Sequence, residues 1–390
     1  MPDDLRYVLL LFALFVVPRM LQRFRLPSAI TSFLLGAALA FSGADVVPHD
    51  TTLPLLATFG IAAMFLVAGL EVNVADLRRG ARVIGEHLAI RAVLLLVAGL
   101  LVAEIFGIGS RAAALVALAL FTPSTGFILD SLPLLGVSTD ERFWIRAKAI
   151  ATELLALAVL FVTLQSTSTA RLALATLALG AMVTVLPLLF RLFAARIAPV
   201  APRSEFAFLL MLAVVAAYVT KALGVYYLVG AFLVGAAAQF FRERLPALSS
   251  EQLVHAVEAF ASVFAPFYFF YAGLRLRPGD FSPAAIALGI AFFVVCVPLR
   301  VALVLLHRRM AFQRPWRTGL PVAIALTPTL VFTLVLASIL RDRLGAPPLL
   351  IGALIIYTVL NTLVPGFVLQ GRPPELDVLQ PDRRATDPAA

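Results

Sequence analysis

Glu153 is the residue whose type and setting most need an explanation. The stretch Glu141 to Ser166 reads ERFWIRAKAIATELLALAVLFVTLQS. Arg142, Arg146 and Lys148 lie in its first half, and the second half is almost wholly apolar. Between them stand Thr152 and Glu153, well inside a run long enough to cross a bilayer. A carboxylate at membrane depth costs about 2.5–3.5 kcal/mol on insertion scales, so it marks a functional site by default. Desolvation disfavours a bare carboxylate, so such a group holds either a proton or a small cation. Competition between the two is sufficient for exchange. The structural alternative is a static bridge to Arg91 or Arg300.

Two further places carry unusual chemistry. Thr122-Pro123-Ser124-Thr125-Gly126 and Thr327-Pro328-Thr329 each put a proline among hydroxyls near the middle of an apolar run. Proline removes a backbone donor and clashes with the preceding turn. Each alone reads as a kink. As a symmetric pair they predict two interrupted helices beside a midplane ion site. Arg300, deep in Cys296-Val-Pro-Leu-Arg300, either offsets a half-helix C-terminal dipole, pairs with Glu153, or forms a static bridge. Glu86, Arg91 and Glu104 read as local pairs or snorkelling side chains. Asp130, Lys148 and Glu258, near the inner face, read as a solvated rim, with an ion funnel as the alternative, and Glu71 and Arg275 as interfacial anchors.

Other chemistries have no residues to support them. There is no GxxxxGK phosphate loop, no GxSxG, no HExxH and no arginine ladder. The single cysteine excludes an internal disulfide, and His49, His87, His255 and His307 show no metal-ligand spacing. No cofactor is expected, and no nucleophile, base and orienting group can be assembled into an enzyme site.

The elements that position these residues follow from composition. Of 390 residues, 62% are hydrophobic and 14% charged, against roughly 25% charged in soluble domains. Lipid is the solvent for most of the chain. The formal net charge of +9 comes from short basic loops, a pattern of membrane orientation rather than of nucleic-acid binding. The spacing predicts thirteen spans, at 5–22, 27–43, 53–72, 82–106, 110–133, 141–166, 170–195, 203–222, 224–242, 252–275, 281–306, 315–341 and 347–370. With the N-terminus outside, 21 of the 31 Lys and Arg fall on the inner side and 8 on the outer, which predicts a cytoplasmic C-terminus. Asp3 and Asp4 argue against a cleaved signal peptide. Residues 371–390 read as a disordered cytoplasmic tail, with no appended soluble domain.

The chain also matches itself. Phe65-Leu-Val-Ala-Gly-Leu-Glu-Val72 pairs with Phe269-Phe-Tyr-Ala-Gly-Leu-Arg-Leu276 at an offset of 204, and Phe121-Thr-Pro-Ser124 with Leu326-Thr-Pro-Thr329 at 205. Leu34-Leu-Gly-Ala37 and Leu228-Val-Gly-Ala231 give a weaker echo. Seven spans separate the matched segments, so the halves face opposite ways. An inverted-topology repeat follows, with a first repeat at 1–166, a linker helix at 170–195 and a second repeat at 203–370 inside one membrane domain, 1–370.

With these residues in place, the chain resembles the monovalent cation:proton antiporter superfamily, in particular its Kef-like and bacterial sodium/proton branch. The resemblance rests on Phe-Leu-Leu-Gly-Ala in the second segment and Phe-Leu-Val-Ala-Gly-Leu-Glu in the third. Pro-Ser-Thr-Gly in the fifth, Gly-Ala-Phe-Leu-Val-Gly in the ninth and Phe-Tyr-Phe-Phe-Tyr-Ala-Gly-Leu in the tenth add to it. It implies a dimerising domain and a mobile core domain, two crossed broken helices, elevator-like alternating access and a homodimer. It also implies that Thr152-Glu153 stands where the family has Asp-Asp, Asn-Asp or Gln-Asp, and that Arg300 stands at a usually basic position. One carboxylate instead of two implies electroneutral exchange.

The reading is therefore an all-α polytopic membrane protein, a secondary active transporter of a bacterial-type inner membrane. It exchanges Na⁺ or K⁺ for H⁺ at Glu153 and Thr152. Thr122, Pro123, Ser124, Thr125, Thr327, Pro328 and Thr329 form the crossing, and Arg300 compensates its charge. The rival readings are an organic-anion or solute carrier on the same fold, and a membrane sensor that does not transport.

Overall fold

The computed structural model describes residues 3–43, 50–201, 203–223, 227–242, 251–313 and 315–369. The 371–390 tail lies outside these. Among the described residues the fold is helical, without strands. Among the described residues, eleven helical spans are long and apolar enough to cross a membrane, two of them interrupted. The second and ninth of the thirteen segments are the shorter apolar helices Ser28–Ser42 and Leu228–Arg242. At 1.5 Å per residue they fall short of a ~30 Å hydrocarbon core.

One group of helices packs through glycine. It comprises α1 (Asp3–Gln22), α2 (Ser28–Ser42), α3 (Thr52–Leu70), α10 (Glu205–Ala222), α11 (Tyr227–Arg242) and α12 (Glu251–Leu274). A Cβ on Gly69 of α3 would overlap the Phe232 carbonyl of α11, and one on Gly235 would overlap the Leu66 carbonyl. Gly36 of α2 and Gly273 of α12 make the same reciprocal contact with the Phe270 and Phe33 carbonyls. With no hydrophobic drive between helices in lipid, such close backbone approach is what holds them together. The α3–α11 and α12–α2 contacts are also images of one another under the match between residues 65–72 and 269–276.

The other group surrounds two interrupted helices. It contains α5 (Ala81–Phe106), preceded by the short α4 (Val74–Arg79). Then come α6 (Ser110–Phe121), α7 (Thr125–Ser131), α8 (Thr139–Gln165), α13 (Pro283–Phe312), α14 (Trp316–Ala325), α15 (Leu330–Leu344) and α16 (Pro348–Val368). Between the groups in sequence runs α9 (Thr169–Leu192), which ends in one π turn, Phe193–Ile197. A capping box starts α8: Ser138 and Glu141 satisfy each other's backbone N–H groups.

Each predicted interruption is present. Segment 110–133 divides into α6 and α7, and segment 315–341 into α14 and α15. Proline alone does not explain this, because Pro187, Pro266, Pro298 and Pro365 sit inside unbroken helices. At the breaks the freed backbone groups find partners on the other broken helix. The residue before Pro123, Thr122, adopts the extended conformation that a following proline favours, at φ −93° and ψ 121°.

Candidate functional site

The two interruptions meet. The Ser124 backbone N–H donates to the Pro328 carbonyl at 2.8 Å. The Ser124 Oγ accepts from the Phe332 N–H at 3.2 Å, and so caps α15 from the opposite helix. Thr333 Oγ1 lies 2.8 Å from the Ala119 carbonyl of α6. On the far side Asn361 of α16 accepts from the Thr329 N–H at 3.2 Å and donates to Thr329 Oγ1 at 2.9 Å.

Arg300 of α13 serves the carbonyl ends of both broken helices. It donates to the Leu326 carbonyl at 2.7 Å, to the Thr327 carbonyl at 2.8 Å and, longer, to the Leu120 carbonyl at 3.4 Å. Tyr357 accepts from Arg300 at 3.0 Å, and its hydroxyl donates to the Leu120 carbonyl. A guanidinium carries several donors in a fixed fork, and a cation suits the negative end of a helix dipole. Among the described residues, no ion pair joins Glu153 to Arg300 or Arg91.

Glu153 is 2% exposed. Its carboxyl faces the hydroxyl and backbone N–H of Thr125, at the start of α7, where backbone donors have no partner within the helix. The Thr125 Oγ1 and Glu153 Oε2 are both buried without a hydrogen-bond partner, as is Thr122 Oγ1. Glu153 and Thr125 line one small cavity with Met64, Phe65, Ala68, Ser124, Gly126, Val331 and Phe332. Met64 and Gly126 also line a cavity of about 620 Å³ between α1, α2, α3, α7 and α12. Arg19, Gln22, Glu71, His255 and Glu258 line that larger cavity too, and all belong to the end of the bundle read as inner.

Thr152 is not brought to the Glu153 cavity. Its hydroxyl donates to the Lys148 carbonyl at 2.7 Å and is met by His87 at 3.1 Å. Residues adjacent on a helix point about 100° apart, and Thr125 rather than Thr152 stands beside the Glu153 carboxyl. Two other readings are corrected. Lys148 is not a solvated rim residue but fully buried, bonded to His307 at 2.9 Å. Arg91 does not snorkel; it is 2% exposed, with Nη1 unpartnered. Glu86 does pair locally with Arg82, at 3.0 Å. Glu71 pairs with Arg146 at 3.3 Å and Arg275 with Asp342 at 2.9 Å. The side chain of Asp130 lies outside the described residues.

Sequence reading missed Tyr357, Asn361, His87 and His307. The polar group Tyr357, Thr358, Asn361 and Thr362 on one apolar helix was the available signal for the first two. The histidines had none, because their partners are remote in the chain.

Fold and site together define an all-helical membrane protein with a buried carboxylate against two crossed, interrupted helices, beside a wide cavity at one end of the bundle. The chain belongs to the sodium/hydrogen exchanger family: the family described as "Sodium/hydrogen exchanger, transmembrane" matches residues 9–371. This places it in the monovalent cation:proton antiporter superfamily. It is 25% identical over 374 residues to the Na(+)/H(+) antiporter NhaS5 of Synechocystis sp., covering 92% of this chain and 52% of the relative. The chain thus spans about half the length of that relative. A segment of 67 residues, 17% of either chain, is 31% identical to the probable Na(+)/H(+) antiporter 3 of Methanocaldococcus jannaschii. The structure of the sodium proton antiporter MjNhaP1 from the same archaeon, at pH 8, superposes with a TM-score of 0.66. It covers 94% of this chain and 96% of that one at 14% identity, a likeness of fold.

Proposed function

We propose that the chain exchanges Na⁺ or K⁺ for protons, with Glu153 as the single shared carrier. The observation that supports this most is the pair of unpartnered oxygens, Glu153 Oε2 and Thr125 Oγ1, on one buried cavity. Hard cations favour oxygen donors, and a proton on Glu153 competes for the same place. Ser124 and Thr122 stand on the same interruption and offer further oxygens. Met64 and Gly126 line both the site and the larger cavity at the end read as inner, which supports an inward-facing arrangement.

Alternating access then consists of the α5–α8 and α13–α16 group moving against the glycine-packed group, elevator-fashion. Repeats at 1–166 and 203–370 account for the two matched crossings, and thirteen spans put the N-terminus outside and the C-terminus in the cytoplasm of a bacterial inner membrane. Glycine-packed helices with the exposed apolar faces of α1 and α9 suit a homodimer. One carboxylate makes the exchange electroneutral.

The reading is tested in proteoliposomes holding an internal pH dye under an imposed pH gradient. Na⁺, K⁺ and Li⁺ are added in turn. Cation-dependent dequenching that is unchanged by clamping the membrane voltage is expected. Silence toward all three cations refutes exchange, and a voltage-dependent turnover refutes electroneutrality.

A further inference from the structure

The face of α8 turned away from the Glu153 cavity carries titratable groups that the exchange site does not use. Lys148 Nζ lies 2.9 Å from His307 Nδ1. His307 Nε2 lies 3.4 Å from Glu86 Oε2. The Glu86 side chain is 40% exposed and pairs with Arg82, 91% exposed, so this end meets water. His87 lies beside them, its ring centroid 5.9 Å from that of His307. The Thr152 hydroxyl gives its hydrogen to the Lys148 carbonyl, so His87 Nε2 must be the donor to Thr152.

The geometry allows one proton between Lys148 and His307, since two N–H donors cannot face each other on a 2.9 Å line. Its transfer balances. Lys148 gives a proton to His307 Nδ1, His307 gives its Nε2 proton to the Glu86 carboxylate, and Glu86 releases that proton to water. Lys148 is left a neutral amine and His307 the other neutral tautomer.

Lys148 is the buried cation of this group with a proton to give along the line to Glu86. Arg308 of α13 and Arg91 of α5 are the buried guanidinium groups nearby, and Glu86 of α5 is the carboxylate at the exposed end. Arg300 of α13 is a third buried guanidinium, and guanidinium groups do not release protons in proteins. On α14, packed against α8, Arg317 is exposed. On α6, Arg111 binds the Thr163 and Leu164 carbonyls about four turns away. On α7 the sequence places Asp130, and on α9 Arg171 and Arg191 near its two ends.

We propose that Lys148 is a second proton-binding site, wired to the inner face through His307 and Glu86, whose occupancy sets the cation affinity of Glu153. Lys148 precedes Glu153 by five residues, about 7.5 Å along the helix. A positive charge that close in a protein interior weakens cation binding roughly tenfold or more. Loss of the Lys148 proton, as inner pH rises, opens Glu153 to the cation. The inference rests on Glu153 being the exchange site.

Two measurements test it. In the first, calorimetry follows the Kd for Na⁺ against pH in detergent-purified protein. For the native chain log Kd falls with pH more steeply than a single displaced proton allows. Lys148→Met flattens the slope to about one and binds roughly tenfold tighter at the acid end. Lys148→Arg, permanently charged, also gives a slope of about one but binds more weakly at alkaline pH. A native slope retained in Lys148→Met overturns the proposal. Undiminished Na⁺ binding in Glu153→Gln overturns the exchange-site reading instead.

The second measurement needs no cation and no Lys148 variant. The chain has two lysines, Lys148 and Lys221, so ¹⁵N-lysine NMR gives two side-chain resonances. The Lys148 resonance changes with pH across the range in which exchange runs, and the titration moves in His307→Gln. A Lys148 signal that stays ammonium across that range overturns the proposal.

Discussion

Ser124 and Pro328 close each other's interruptions: the backbone N–H of the first donates to the carbonyl of the second at 2.8 Å. Neither broken helix could persist alone at membrane depth, where each unsatisfied backbone group costs several kcal/mol. The crossing is therefore a cooperative unit, and substitutions at one break are felt at the other.

Ser124→Ala tests that coupling. It removes the acceptor of the Phe332 N–H and so uncaps α15, more than two hundred residues away. A loss of about 1 kcal/mol is expected, read as a lower thermal unfolding midpoint in detergent. Ser124→Thr, which keeps the hydroxyl, retains most of the stability. Equal stability of the Ala variant and the native chain would show that the cap is not made.

Arg300→Met leaves the Leu326 and Thr327 carbonyls buried without a donor. At about 1–3 kcal/mol for each of the two orphaned groups, the expected loss is about 2–6 kcal/mol by thermal or denaturant unfolding. Arg300→Lys recovers only part of it, because an ammonium lacks the planar fork that reaches both carbonyls. Full recovery by lysine would mean that the charge alone matters.

Part of this arrangement was legible in the sequence, and the reason lies in where each signal sits. Glu153, Pro123, Pro328 and Arg300 are rare residue types in apolar surroundings, so composition along the chain exposes them. The glycine pairs were visible only as Ala-Gly-Leu echoes, without their partners. Lys148 was misjudged, and His87 and His307 were missed, because their meaning is tertiary: the Lys148–His307 contact joins residues 159 apart and the His87–Thr152 contact residues 65 apart. Thr152 was read beside Glu153 because it is next in sequence, whereas helical rotation sends the two side chains to different neighbours. Thr125, from the broken helix, takes the place beside the carboxylate.

Gly235→Val tests the glycine packing. The added side chain collides with the Leu66 carbonyl of α3, and a loss of at least about 1–3 kcal/mol follows from overpacking. Gly85→Ala is the matched control: a Cβ there meets nothing within 4 Å, and a helical glycine replaced by alanine gains about 0.5–1 kcal/mol. Opposite signs are expected in unfolding midpoints measured side by side.

Glu71, at the C-terminal cap of α3 beyond the span Thr52–Leu70, gives a pH prediction. Burial pushes its carboxyl above the usual range, and the Arg146 guanidinium draws it partly back. A carboxyl raised in the folded state favours folding when protonated. That contribution is complete below the ordinary glutamate value and is lost as pH rises through the folded one. The unfolding midpoint of Glu71→Gln should therefore gain on the native chain as pH rises through this window. Arg146→Ala should move the window upward. A difference between Glu71→Gln and the native chain that does not change with pH would contradict the assignment.

The central claim is that one carboxylate, Glu153, carries both ions. It is tested most directly by ²²Na⁺ uptake into proteoliposomes under an outward proton gradient, with the native chain and Glu153→Gln compared at equal incorporation. Exchange by the native chain and its loss in a Glu153→Gln protein that still unfolds cooperatively is the predicted result. Uptake by Glu153→Gln at the native rate would contradict it and move the exchange site elsewhere in the chain.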